Sequence, residues 1–357
     1  MKRINFIVLA ALAFTWAPLA TPLSAQFVYV ANIGDSTISA YRLNPRSGVL
    51  TAVPGSPFVT GTNPFALALH PSGRFLYVTN LNAVTVSGYS IDDKTGALTA
   101  VPGSPFLRGV NPTGVAVDPM GRFLYVASDG QNTVAGYRIN AKTGTLTLAE
   151  VPVPTGNNPN SVAVDPKAEF VYVVNQFDST VSTYRINQNS GALTEVTGSP
   201  FPTGISPYNF AANPTGKFAY VTNTANSTIS GYSIDHKTGA LTAVPGSPFA
   251  ATGTRPEGVA VDPNGKFAYV ASFLGTVSGY SLDPLTGAIT LAPGSPFGAG
   301  GGPLSVAIDP SGQFCYVINN GDSTVSAYVV DCDGYLTPVS GSPFPTGANP
   351  FAIAIAK

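Results

Sequence analysis

Lys217-Phe-Ala-Tyr-Val-Thr-Asn223 is a short run of β-prone residues ending on Tyr-Val-Thr-Asn. Its tyrosine recurs as Tyr29, Tyr77, Tyr125, Tyr172, Tyr220, Tyr269 and Tyr316, at spacings of 48, 48, 47, 48, 49 and 47 residues. So steady a period means one supersecondary unit copied side by side, each copy burying a face against the next.

One copy shows what the unit is. Gly258-Val-Ala-Val-Asp262 alternates and reads as an inner strand. Asp262-Pro-Asn-Gly265 is a turn, because Pro presets φ, Asp bonds locally and Gly takes the positive φ. Lys266 to Ala271 is a second strand, Phe273-Leu-Gly275 a loop and Thr276 to Leu282 a third strand. Asp283-Pro-Leu-Thr-Gly287 is a second turn, Ala288 to Leu291 a fourth strand, and Pro293-Gly-Ser-Pro-Phe297 leads to the next copy. Four short antiparallel strands in so constant a period predict an all-β, seven-bladed β-propeller. The chain enters the pattern at a second strand, Phe27-Val-Tyr-Val30, and ends on a lone inner strand, Phe351 to Ile355. The C-terminal strand is therefore expected to pair with the N-terminal one and close the ring, removing open sheet edges.

Packing accounts for most of the repeated residues. The inner strand carries Ala68, Ala116, Ala163, Ala211, Ala260, Ala307 and Ala354 at one position, where blades converge on the axis. Fourteen of the 16 tyrosines sit in two repeated sets, which marks them as packing groups between blades. The Gly-Ser-Pro-Phe segments read the same way, as connections.

The N-terminus has a basic start (Lys2, Arg3), a short apolar run and small residues before Gln26, which predicts an export leader over residues 1–25 and a single domain over 26–357. Export places the protein in a periplasm or outside the cell, with no membrane anchor after cleavage. Without Lys2 and Arg3, 15 basic residues face 18 acidic ones, so no electrostatic footprint for nucleic acid exists. Cys315 and Cys332 flank one hairpin; a symmetric hairpin sets Cys315 opposite Tyr328, too far from Cys332 for a bridge, so two free thiols are expected. A monomer without cofactor is expected.

Tyr77-Val-Thr-Asn80, Tyr220-Val-Thr-Asn223 and the turns Thr95-Gly-Ala-Leu-Thr99 and Thr238-Gly-Ala-Leu-Thr242 resemble the YVTN-repeat and lactonase-type propellers, a family that includes 6-phosphogluconolactonases and cycloisomerising relatives. The resemblance covers residues 27–357 and implies the fold first. The family opens one inner strand with Pro-His-x-His-Ser-Val; the matching stretch here is Asn158-Pro-Asn160-Ser161-Val162, so Asn158 and Asn160 stand at the histidine positions. The family's acid beside arginine has its nearest counterpart in Arg255-Pro-Glu257, offset by one place. The two histidines, His70 and His236, fall in turns on the face away from the predicted channel mouth, so any hydrolysis is expected to proceed without histidine.

The copies also align with one another. Positions set by the fold match, and positions set by a ligand do not. At the start of the inner strand the seven equivalents are Phe65, Thr113, Asn160, Tyr208, Glu257, Leu304 and Phe351. Two places earlier they are Asn63, Asn111, Asn158, Ser206, Arg255, Gly302 and Asn349. These rings predict a polar site at the mouth. Arg255 supplies forked donors, Glu257 a general base, Asn158 and Asn160 hydrogen bonds to hydroxyls or an oxyanion, and Tyr208 and Phe177 stacking surfaces. Two uses are expected of it. The first is a module binding a small polar molecule or a protein partner. The alternative is a hydrolase of a sugar lactone or related ester, with Glu257 as base and Arg255 as electrophile. The Asp-Ser-Thr runs at Asp35, Asp178 and Asp322 read as turns rather than calcium loops, since each loop offers one carboxylate.

Overall fold

The computed structural model describes residues 26–107 and 111–356, so the expected leader lies outside the described residues. Seven sheets stand in a ring, each built from an inner, a second, a third and an outer strand. In one blade these are Pro207–Ala212, Phe218–Asn223, Thr228–Ile234 and Leu241–Ala243. The first blade is composite: Pro350–Ala356 pairs antiparallel with Gln26–Asn32, setting Tyr29 opposite Ala354. The ring thus closes as the two chain ends predicted.

The register explains the repeated small residues. Ala211, Tyr220 and Gly231 lie opposite one another across the sheet, on one face. The tyrosine ring therefore lies between two residues with little or no side chain. A Cβ on Gly136 would sit 3.0 Å from the Tyr125 ring, and one on Gly279 3.1 Å from Tyr269. Crowding at the axis is only half the reason for the alanine; making room for the tyrosine is the other half.

The tyrosine hydroxyl then reaches the next blade. Tyr220 donates to the Gly287 carbonyl at 3.0 Å, Tyr29 to Gly96 at 2.9 Å, Tyr77 to Gly144 at 2.8 Å, and Tyr316 to Gly48 across the ring closure at 2.8 Å. Gly287 has φ +74°, and a Cβ there would lie 2.4 Å from the Phe218 ring. Glycine is required twice over, by the backbone and by the phenylalanine packed on it. Tyrosines of the third strand bond backwards: Tyr232 donates to the Pro202 carbonyl at 2.6 Å and Tyr328 to Gly298 at 2.6 Å. The core is accordingly divided into inter-blade wedges, such as Phe218, Tyr220 and Ile229 against Val259, Val270 and Tyr280.

The Gly-Ser-Pro-Phe segments are more than connections. After the three-residue outer strand the chain bulges away through a cis Ser-Pro bond, and Phe249–Ala250 then returns to pair with the third strand. In the gap, the Ser247 hydroxyl accepts the Gly231 N–H at 3.0 Å, a donor the broken outer strand leaves over. The two thiols are free, Cys315 buried and Cys332 exposed, with Cys315 opposite Tyr328 as the hairpin register requires.

One blade breaks the row. Thr183 stands where the other blades have Gly or Ala, opposite Tyr172. The Tyr172 and Thr183 hydroxyls are buried without a hydrogen-bond partner, and the Tyr172 ring instead stacks on Phe210 with centroids 4.7 Å apart. Two phenylalanine substitutions separate the bond from the ring. Tyr220→Phe strands a buried carbonyl and is expected to cost about 1–2 kcal/mol, whereas Tyr172→Phe removes an unpaired hydroxyl and is expected to be neutral or stabilising. Urea unfolding measures both; equal losses would contradict the role given to the hydroxyl.

Candidate functional site

The ring immediately before the inner strands has a backbone cause. Asn63, Asn111, Asn158, Ser206, Arg255, Gly302 and Asn349 all have positive φ, between 50° and 66°. Asparagine and glycine tolerate this left-handed region best, so the asparagines answer a turn and need no ligand to explain them. Ser206 and Arg255, at φ 58° and 53°, are the departures, and of these only Arg255 is long and charged. A long side chain in a sparsely populated conformation persists where the surroundings hold it, and such residues gather at functional sites.

The next ring faces the axis and has two arcs. Thr113, Asn160, Tyr208 and Glu257 come from four successive blades and make a polar arc; Leu304, Phe351 and Phe65 come from the remaining three and make an apolar one. Phe65 and Phe351 pack with centroids 4.7 Å apart. A mouth cavity of about 560 Å³ is lined by Tyr208, Arg255, Glu257 and Phe273 on one side and Leu304, Phe351, Asn63 and Asn349 on the other. Below it a second chamber of about 220 Å³ runs along the inner strands, sharing Tyr208, Leu304 and Phe351 with the mouth and adding Asn160.

Arg255 donates to the Glu257 carboxylate at 2.9 Å, and its guanidinium lies 4.2 Å from the centre of the Phe273 ring. The arginine side chain is 56% exposed and the glutamate side chain 3%. Burial pushes the Glu257 carboxyl above its ordinary value, and the Arg255 charge and hydrogen bond pull it back only in part. The Tyr208 hydroxyl is pushed up by burial and then by the Glu257 charge, against the pull of Arg255. Asn160 is 8% exposed, and neither atom of its carboxamide has a hydrogen-bond partner.

The six sequence-predicted residues do not form one cluster. Tyr208, Arg255 and Glu257 line the mouth, and Asn160 lines the chamber beneath. Asn158 and Phe177 line a separate rim cavity of about 340 Å³ with Asp129, Asn132 and Asn157. There Asn158 donates weakly to Asp129 at 3.4 Å, and the Phe177 side chain points outward, 74% exposed. Sequence reasoning missed Asn209, whose amide donates to Ser161 at 3.4 Å and whose oxygen accepts the Val259 N–H at 3.2 Å, tying three inner strands beside the chamber. Its equivalents are Ala66, Gly114, Ser161, Gly258, Ser305 and Ala352, so the internal alignment moved one place along would have exposed it.

The remaining polar candidates are structural. Asp178 accepts the Asn157 N–H at 2.7 Å and Asp35 the Ala348 N–H at 2.5 Å, so these carboxylates hold the neighbouring loop. The Asn157 hydrogen bonds keep the Asp178 carboxyl below its ordinary value. His70 bonds Ser72 at 2.7 Å and the Gly121 carbonyl of the next blade at 2.9 Å, on the face away from the mouth. No metal-ligating cluster occurs among the described residues.

A search of curated proteins finds no match by sequence. Among solved structures, a candidate 6-phosphogluconolactonase of Bacteroides fragilis superposes with a TM-score of 0.81 at 19% identity, covering 95% of this chain and 99% of that one. The periplasmic gluconolactonase of Pseudomonas aeruginosa superposes with a TM-score of 0.76 at 19% identity, covering 94% and 99%. A protein from Lactobacillus plantarum does so with a TM-score of 0.76 at 21% identity, covering 94% and 100%. At such identities the likeness shows the fold alone. The sequence model described as "Lactonase, 7-bladed beta-propeller" matches residues 17–108, 101–204 and 198–350. With its Tyr-Val-Thr-Asn blades, closed ring and axial mouth, the chain belongs to the lactonase family of seven-bladed β-propellers.

Proposed function

We propose that the protein is an exported hydrolase of lactones, with its site at the mouth cavity. The observation that carries this reading is the Arg255–Glu257 pair: a buried carboxylate held at 2.9 Å by a half-exposed guanidinium, in two rings where no other blade places a charge. Family membership gives the reaction class coarsely; the pair gives it chemistry. Glu257 in its ionised form takes a proton from a water that attacks the lactone carbonyl. Arg255 lines the cavity, and its donors not used by Glu257 stabilise the oxygen on which negative charge develops. The ring C–O bond then breaks, and the Glu257 carboxylic acid returns its proton to the departing alkoxide, releasing a hydroxy acid. Phe273 under the guanidinium fixes its plane.

A second reading, a binding module without turnover, is favoured by one specific feature. His70 lies on the opposite face, while Phe177, Ile205 and Leu274 stand 74%, 60% and 70% exposed on loops of the mouth face. That face offers a partner apolar anchors without an imidazole among the described residues.

Hydrolysis of a panel of sugar and aliphatic lactones, followed by proton release, separates the two. Glu257→Gln is expected to lower the rate by about a hundredfold or more, the usual contribution of a general base, and Arg255→Ala by a similar factor. Turnover that survives both substitutions would remove the site from the mouth; no turnover with any lactone leaves the binding module.

The same carboxylate shapes stability. Its folded pKa is raised above the unfolded value, so its stabilising contribution is complete in acid and is lost as pH rises through the folded pKa. Glu257→Gln has no such loss. The melting temperature of Glu257→Gln relative to the unmodified protein is therefore expected to climb from about pH 4, near the unfolded pKa of glutamate, to neutrality. A difference that falls over that range would mean the Arg255 attraction outweighs burial.

A further inference from the structure

The chamber beneath the mouth is not used by the reaction described above, and it contains the most exposed inconsistency in the protein's hydrogen bonding. Asn160 is 92% removed from solvent, and both its donor and its acceptor lack a partner. An amide so placed costs free energy in the free protein, because the desolvated N–H and C=O gain nothing in return. Two other members of the polar arc are satisfied: Thr113 donates to the Pro159 carbonyl at 2.5 Å, and Glu257 is held by Arg255. The chamber of about 220 Å³ exceeds the ~30 Å³ share of one water several times over.

Charge narrows what belongs there. Among the described residues lining either cavity, Arg255 is the one cation, and it is engaged by Glu257. A phosphate reaching the chamber would leave Arg255 behind at the mouth and find a neutral carboxamide instead of charged donors. A hydroxyl, which donates and accepts, complements a carboxamide that does both. Across the opening, Leu304, Phe351 and Phe65 give the carbon face of a ring an apolar wall.

We propose that the chamber is a subsite for the uncharged, hydroxyl-bearing end of the ligand, and that Asn160 determines specificity for neutral polyols over phosphorylated or unsubstituted ones. The proposal rests on the mouth being a ligand site, but not on hydrolysis there. Titration calorimetry on the whole protein tests it with a stable neutral ring polyol, 1,5-anhydro-D-glucitol, against tetrahydropyran, and with D-gluconate against 6-phospho-D-gluconate, whose carboxylates both reach Arg255 so that the phosphate falls at the chamber end. The compound with the uncharged, hydroxyl-bearing end binds better in each pair. Asn160→Leu, of similar volume, weakens polyol binding by roughly tenfold or more while the melting temperature of the free variant stays level or rises, since an unpaired amide has been removed from a buried place. Tighter binding of the phosphate or the bare ring, no binding of the polyol, or an unchanged polyol affinity in Asn160→Leu would each overturn the proposal. So would a variant whose affinity and melting temperature fall together. Polyol binding that depends on Asn160 without lactone turnover would keep this inference and dismiss the hydrolase; turnover with no polyol binding would do the reverse.

Discussion

The ring depends on the room made for one side chain. In six of the seven blades the second-strand tyrosine lies between two residues with little or no side chain on its own sheet, and the same six hydroxyls reach a glycine carbonyl in the next blade. Much of the repeat follows from that geometry. Alanine and glycine flank the ring because a larger residue meets it; the Thr-Gly turn needs its glycine for φ and for the phenylalanine packed beneath. The seventh case supports the argument. Thr183 crowds the row, and Tyr172 alone leaves its hydroxyl unpaired. Closure between Tyr316 and Gly48 uses the same bond as five of the other six junctions, so the composite blade costs the ring no special device.

A fold fixed by its inter-blade interfaces leaves its mouth free to vary. The loops at that end carry their own backbone requirements, met by asparagine at positive φ and by aspartates that hold neighbouring N–H groups. What remains after those are subtracted is small: an arginine in a left-handed turn, a buried glutamate, a tyrosine beside it and an asparagine with no partner. Each is unfavourable for the empty fold, through strain, desolvation or an unmet hydrogen bond. Their concentration at the heads of three successive inner strands is what a preorganised site requires, and it trades stability for function.

The architecture was legible because a period of about 48 residues repeats turn chemistry as well as hydrophobicity. Strand order, ring closure and the pairing of Cys315 with Tyr328 all follow from local pattern plus the position of the chain ends. The return of Phe249 to its own third strand was not legible, since two residues of strand carry no period. For the site, aligning the copies found the axial ring, including Glu257, Tyr208 and Asn160. It could not tell a ligand preference from a dihedral one, so Asn158 looked like a partner of Asn160 although it opens on a different cavity with Phe177. Asn209 escaped because its ring of small residues looked like packing.

The most direct measurement is a crystal structure of the protein soaked with D-gluconate, the hydroxy acid a lactone hydrolase would release. The account predicts density in the mouth, with the carboxylate within hydrogen-bond distance of Arg255 and the hydroxylated chain descending past Tyr208 towards Asn160. Density on the turn face near His70, or a mouth that stays empty while the compound binds elsewhere, would contradict it.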